Sequence, residues 1–202
     1  MKRKLLIIVV IGLLFNQNLL AGSPLTSTNI HEAYKDSAII QLALKTEGKL
    51  TVALMNYLSD TKKPIELKIA LINALGWDFN GKNNSTLFYE YLKENQNLKD
   101  INETSADILI CYAYLKALDN YFDVDDAIKF AQKAKLKKKN SYTINIICAL
   151  IEAQKAMGSD WCEVYNLTNN VRINDALQID MKEDAIKIIF EYMDLYKDYC
   201  KE

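Results

Sequence analysis

The sequence predicts an all-α fold, and three observations support that prediction. Glycine and proline, which turns and hairpins need, number only 6 and 2 among 202 residues. From residue 29 almost to the end, apolar residues recur close to the 3.6-residue period of a helix. Alternation with the two-residue period of a strand never extends beyond a few positions. Half of the residues are hydrophobic, so we expect residues 29–202 to bury one core as a single domain.

The N-terminus has the pattern of a secretory signal peptide. Residues 2–4 are basic, residues 5–15 are apolar, and residues 16–21 form a more polar exit that ends in the small residue Ala21. We therefore predict cleavage between Ala21 and Gly22 and a secreted or periplasmic location. The alternative is an uncleaved anchor, but the apolar stretch would rise only about 16 Å as a helix, against a bilayer core of ~30 Å. No later stretch reaches membrane-spanning length, so we expect no membrane association after signal removal.

The segment that follows the cleavage site combines a leader and two short helical patterns. Residues 22–28 are predicted to form an extended leader. Residues 29–45 have apolar positions at helical spacing and predict the first helix. Gly48 interrupts this pattern, and residues 50–58 predict a second, short helix.

The next two helices are separated by a clear turn. Pro64 begins a helix, where its missing N–H is tolerated, and the pattern runs to Gly76. Residues 78–84 then combine Asp, Asn and an Asn-Gly pair, which is typical of a turn. Ser85 is the predicted N-cap of the helix that follows.

The second half of the chain alternates between two kinds of helix. Residues 108–118 and 144–156 are apolar on nearly every side, which predicts buried helices. Residues 125–136 carry a single apolar stripe and predict an amphipathic helix between them. Residues 160–171 and 182–200 predict two further amphipathic helices.

Two stretches resemble helical-repeat families. Residues 126–134 (Asp-Ala-Ile-Lys-Phe-Ala-Gln-Lys-Ala) resemble the second helix of a tetratricopeptide repeat, and residues 64–76 resemble a HEAT-type helix. Cys111 and Cys148 hold similar places in the two buried segments and are 37 residues apart, a spacing typical of helix-pair repeats. The resemblance implies antiparallel helix pairs stacked as a short α-solenoid, with a concave face that suits a protein or peptide partner. The alternative is an irregular helical bundle.

The four cysteines permit three disulfide pairings. If the last two helices form an antiparallel hairpin that turns near Met181, Cys162 and Cys200 lie opposite each other. We therefore consider Cys162 and Cys200 candidate disulfide partners, and closing this loop would stabilise the fold by roughly 3–4 kcal/mol. Cys111 and Cys148 are interpreted as buried thiols that act as small hydrophobic residues.

The sequence contains few residues or motifs that are typical of catalytic sites. His31 is the single histidine, and neither a nucleotide-binding glycine motif nor a hydrolase or zinc-protease motif occurs, so we expect no cofactor, no metal and no enzymatic activity. Four carboxylates crowd one region, Asp119, Asp123, Asp125 and Asp126. They allow two hypotheses, a paired-carboxylate hydrolase and a cation-binding loop. Because the EF-hand spacing is absent, we favour the simpler interpretation that Asp125 and Asp126 support a helix N-terminus.

Charge gives no reason to expect a nucleic-acid partner. The 25 basic and 26 acidic residues are scattered, and the lysine-rich run at 135–139 falls where a helix ends and positive charge is favoured. We therefore predict an exported helical protein that binds a protein or peptide. The alternatives are a small exported carboxylate-based hydrolase and a dedicated inhibitor or immunity-type protein.

Overall fold

The computed structural model describes residues 22–200, and within this range the fold is all-α, as the sequence predicts. The predicted signal peptide, residues 1–21, lies outside the described residues, and so does Ala21 of the predicted cleavage site. The only β-type pairing in the described range is an isolated bridge between Ser141 and Gln178. The α-helices are α1 Ala38–Leu44, α2 Val52–Ser59, α3 Ile65–Leu75, α4 Asn84–Gln96, α5 Ala106–Asp119, α6 Asp125–Lys137, α7 Tyr142–Ala156, α8 Trp161–Arg172 and α9 Glu183–Met193. Three 3-10 helices cover Ile30–Tyr34, Ile101–Glu103 and Asp194–Cys200.

Residues 22–28 are not the extended leader that we expected from the sequence. They form turns, with the Ser27 amide donating to the Ser23 carbonyl oxygen at 2.9 Å. The Thr28 hydroxyl donates to the Pro24 carbonyl oxygen at 2.7 Å. Leu25 is only 2% exposed and belongs to the hydrophobic core. Local Ser and Thr hydrogen bonds together with the burial of one leucine therefore override the extended conformation.

The helices pack side by side as antiparallel pairs. Between α5 and α6, Lys116 lies 3.9 Å from Asp126, and one turn earlier on α5 the ring of Tyr112 lies 5.0 Å from that of Phe130 further along α6. Helices α6 and α7 are antiparallel as well. Helices α5 and α7 are buried along nearly their whole length, as predicted, because α3, α4, α6 and α8 surround them.

The start of the chain covers one face of α3 and α5. The Asn73 amide nitrogen donates to the Thr28 carbonyl oxygen at 3.0 Å and to the Tyr114 hydroxyl at 2.9 Å. Its oxygen accepts the backbone N–H of His31 at 3.0 Å. One buried amide on α3 thus joins the N-terminal segment to α5.

A second polar contact joins the two ends of the domain. The Tyr34 hydroxyl donates to Glu66 Oε2 at 2.7 Å. The backbone N–H of Lys182 lies 3.0 Å from the Tyr34 hydroxyl oxygen and 3.0 Å from Glu66 Oε2. Burial is the main reason that the pKa of Tyr34 is raised above its ordinary value. Tyr34 ends the Ile30–Tyr34 helix, Glu66 lies in the first turn of α3, and Lys182 directly precedes α9. This contact therefore helps to pack the Ile30–Tyr34 helix against both α3 and α9.

The C-terminal hairpin carries the predicted disulfide. Cys162 at the start of α8 and Cys200 at the end of the last 3-10 helix are bonded, with their Cα atoms 4.8 Å apart. Arg172 at the end of α8 pairs with Asp194 at the start of the same 3-10 helix, at 2.8 Å. A disulfide is compatible with an extracellular location.

The other two cysteines are free and buried, as the sequence predicts. Burial raises the pKa of Cys111 and that of Cys148 to about 12, so both stay protonated thiols at neutral pH. Within residues 22–200, no helix is both long and apolar enough to cross a membrane.

Candidate functional site

Asp119 has a structural role that the sequence did not reveal. It is the last residue of α5 and is buried, and its two carboxylate oxygens accept the amides of Asn84 at 3.1 Å and Ser85 at 2.7 Å. Its backbone oxygen accepts the Lys82 amide at 2.9 Å. Asp119 therefore caps the N-terminus of α4, a role that the sequence had assigned to Ser85.

The other three carboxylates of the acidic cluster lie at the start of α6. Asp123 accepts the Asp125 amide at 3.2 Å, Asp125 pairs with Lys155 at 2.6 Å, and Asp126 pairs with Lys129 at 2.9 Å. The hydrogen bond from Lys129 lowers the pKa of Asp126, which opposes a role as a general acid. These contacts agree with the helix N-terminus interpretation. In the part of the chain that the structure describes, no three His, Cys, Asp or Glu side chains are arranged to hold a metal ion.

His31 and the lysine-rich run also make structural contacts. His31 Nδ1 donates to Asn73 Oδ1 at 2.8 Å, and its Nε2 lies 3.3 Å from a Glu32 carboxylate oxygen. In the run at 135–139, Lys137 donates to the backbone oxygens of Asn102 and Thr104, at 2.8 Å and 2.6 Å. Part of that run thus ties the end of α6 to the segment before α5.

The exposed aromatic side chains collect at one end of the helix stack. Helices α3, α5 and α7 end there, since Lys82 contacts Asp119 and Asp125 contacts Lys155. The start of α8 and the C-terminal 3-10 helix reach the same end. Five aromatic side chains of the described residues are exposed, and all five lie here: Trp77 (43%), Phe79 (71%), Phe122 (67%), Trp161 (44%) and Tyr199 (54%).

Four of the aromatic rings form a continuous cluster, which we call the aromatic patch: Trp77, Phe79, Tyr121 and Phe122. The ring centroids of Trp77 and Tyr121 are 5.0 Å apart, those of Phe79 and Phe122 are 5.5 Å apart, and those of Tyr121 and Phe122 are 4.3 Å apart. Two loops, one after α3 and one after α5, contribute two rings each. Because the contacts of Trp77 with Tyr121 and of Phe79 with Phe122 join the two loops, each loop holds the rings of the other in place.

The loop after α3 is attached to its surroundings by backbone contacts. The Lys82 ammonium donates to the carbonyl oxygens of Leu75 and Gly76, the last of these at 3.0 Å, and so caps the end of α3. Burial lowers the pKa of Lys82, although Asp119 acts in the opposite direction. Gly81 has φ 81°, and a Cβ there would lie 3.0 Å from the Asp119 carbonyl oxygen. The loop therefore presents Trp77 and Phe79 from a supported backbone.

A second aromatic group surrounds the disulfide. The Trp161 ring lies 4.7 Å from that of Tyr199 and 6.0 Å from that of Tyr196, measured between centroids. Trp161 and Tyr199 are the direct sequence neighbours of Cys162 and Cys200. The disulfide thus holds these two exposed rings together.

Lys68 on α3 is the most unusual polar residue of the core. It is 0% exposed, and its Nζ atom has no hydrogen-bond partner among the described residues. A signal was present in the sequence, because Ile65, Leu71 and Ile72, three or four positions away on the same helix face, are all apolar.

Comparison of the chain with family models, with curated proteins and with solved structures gave no match. The resemblance to helical-repeat families therefore stays a prediction.

The aromatic patch was not predicted from the sequence. A usable signal was present: Trp77, Phe79 and Phe122 stand among Asp, Asn and Gly in turn segments, where the chain has no helix face to bury them. An aromatic residue inside a predicted turn is a candidate for surface exposure.

Proposed function

We propose that the chain is an exported protein that binds a protein or peptide partner through the aromatic patch. The observation that carries the proposal is that the exposed aromatic side chains of residues 22–200 gather at one end of the fold. Scattered apolar residues are ordinary on a surface, but a contiguous exposed patch is typical of an interaction site. Trp and Tyr are also enriched among the residues that dominate binding energy at protein interfaces.

Export is supported by two independent features. The basic and apolar segments before residue 22 have signal-peptide order, and Cys162 and Cys200 form a disulfide, which persists in oxidising compartments. We propose a secreted or periplasmic location on these grounds.

The hydrolase alternative has weaker support, because the contacts of the acidic cluster are those of helix ends. Exchanging Asp123 and Asp125 for Asn tests the hydrolase alternative: folding should survive, and only an enzyme would lose a hydrolytic activity. The inhibitor or immunity-type alternative is a narrower form of the binding proposal. A tight one-to-one complex with a single protein would favour it over a more general binding role.

Site-specific photo-crosslinking in the native compartment tests the binding proposal. A photoreactive phenylalanine analogue replaces Phe122 in one variant and Leu136, which is 66% exposed at the opposite end of α6, in a matched control. We expect a discrete adduct from position 122 and none from position 136. The adduct should disappear when Phe79→Ser is added, because truncating a dominant interface residue costs about 2 kcal/mol or more, roughly 30-fold in affinity. Equal labelling at both positions, or none at position 122, would contradict the proposal.

A further inference from the structure

An open cavity of about 490 Å³ lies directly beside the aromatic patch. It separates the loop after α5 from the end of α7. Tyr121, Phe122 and Met157 form its apolar wall, and Asp123 and Gln154 belong to its polar wall. A ligand in this cavity would contact the patch and the acidic residues at once.

The polar wall carries more negative than positive charge. Asp123 and Asp125 contribute two carboxylates. The one cationic residue of the wall is Lys155, which pairs with Asp125 at 2.6 Å. The wall is therefore complementary to a group that carries positive charge and several N–H donors.

We propose that this cavity binds an arginine side chain of the partner. A guanidinium is planar, stacks on an aromatic face, and donates in a fork that matches a carboxylate. Tyr121 and Phe122 supply the faces, and Asp123 supplies the carboxylate. A lysine would satisfy the charge but neither the stacking nor the forked geometry, so it should bind more weakly. This inference rests on the proposed function and specifies the chemistry of the partner.

Residues 22–200 of a second copy do not supply such a group. The described residues contain one arginine, Arg172, which lies in α8. Its guanidinium donates to both carboxylate oxygens of Asp194, at 3.1 Å and 2.8 Å, and lies 4.1 Å from the centre of the Phe190 ring. Because these contacts hold Arg172 within the C-terminal hairpin, the arginine comes from a partner that is a different protein or peptide.

The test uses the purified protein in the form that the cell produces and four capped pentapeptides, Ala-Leu-Xaa-Leu-Ala with Arg, Lys, Gln or Glu at the centre. Binding is followed by amide chemical shifts at Phe122, Asp123 and Gly158. We expect the Arg peptide to bind at least about tenfold more tightly than the Gln peptide, with Lys between them and Glu weakest. Asp123→Asn should weaken the Arg peptide about fivefold or more, whereas the matched control Asp175→Asn in the exposed loop before α9 should leave it unchanged.

The outcomes separate this inference from the proposed function. If Arg and Gln peptides bind equally and Phe122→Ser abolishes both, the patch binds partners but the arginine site is wrong. Absence of shifts at these amides up to about 10 mM Arg peptide overturns the arginine site. If crosslinking at position 122 also fails, the proposed function falls with it. Concentration-dependent self-association that Phe122→Ser removes would assign the patch to a second copy and overturn the inference.

Discussion

Lys68→Met should make the protein more stable, although it removes a charged residue. Lys68 lies within α3, is 0% exposed, and places its Nζ atom among core residues without a hydrogen-bond partner in the described range. The ammonium group therefore lost its hydration on folding and received no hydrogen bond from the described residues in return. Methionine keeps an unbranched apolar stem of similar length and removes the group that is costly to bury.

The expected gain follows from two opposing magnitudes. A buried donor without a partner costs about 1–3 kcal/mol, and more when it is charged. A volume-conserving exchange in a core usually costs less than about 1.5 kcal/mol. Because the unpaired donor is a charged group, its cost lies at or above the upper end of the first range. After the cost of the exchange is subtracted, we expect Lys68→Met to raise the free energy of unfolding by roughly 1–3 kcal/mol, which corresponds to about 3–10 °C in Tm for a domain of this size.

Urea unfolding followed by circular dichroism measures the change, with two controls. Lys129→Met exchanges a lysine whose side chain is 69% exposed and should shift the unfolding free energy by no more than about 0.5 kcal/mol. Lys68→Ala removes the charge but also leaves a cavity, so it should be about 2 kcal/mol or more less stable than Lys68→Met. If Lys68→Met lowers stability by more than about 1 kcal/mol, the ammonium makes a favourable interaction and the reasoning is wrong.

Three further predictions concern the cap, the disulfide and the thiols. Asp119→Ala removes both acceptors at the start of α4 and should cost about 2–4 kcal/mol in urea unfolding. Replacing Cys162 and Cys200 by Ser should cost about 4 kcal/mol by loop entropy, and chemical reduction of the native protein should reproduce the loss. Cys111 and Cys148 should resist a thiol reagent at pH 8 until urea unfolds the chain. Because burial raises their pKa from 9.0 to about 12, their contribution to stability should be complete below about pH 9 and fall as pH rises toward 12.

Features that depend on nearby residues were accessible from the sequence. The buried helices α5 and α7 followed from apolar residues on every side, and their all-helical surroundings followed from the shortage of glycine and proline. The pairing of Cys162 with Cys200 followed from the geometry of a hairpin, which relates positions on the two sides of one turn. Each of these predictions needs only the period of the apolar residues or the distance of two residues from one turn, and both can be read from a single sequence.

Features that depend on distant contacts were not accessible. Asp119 caps α4 because its carboxylate accepts hydrogen bonds from amides 34 and 35 positions earlier in the chain. No local sequence pattern predicts these contacts. Leu25 is buried, so residues 22–28 are part of the fold rather than a leader. The ring contacts of the aromatic patch likewise need two loops to meet. These relations are set by tertiary packing, which overrides local propensity.

The surface that we propose for binding also differs from the one that the solenoid resemblance implies. Residues of the N-terminal segment, among them Thr28 and His31, cover one face of α3 and α5, and an internal segment on a helix face competes with any partner there. Phe79 and Phe122 are 71% and 67% exposed, so they bury little area and contribute little to stability. Stability and binding should therefore separate at these two residues: exchanging both for Ser should leave the unfolding free energy within about 0.5 kcal/mol while it abolishes the crosslinked complex.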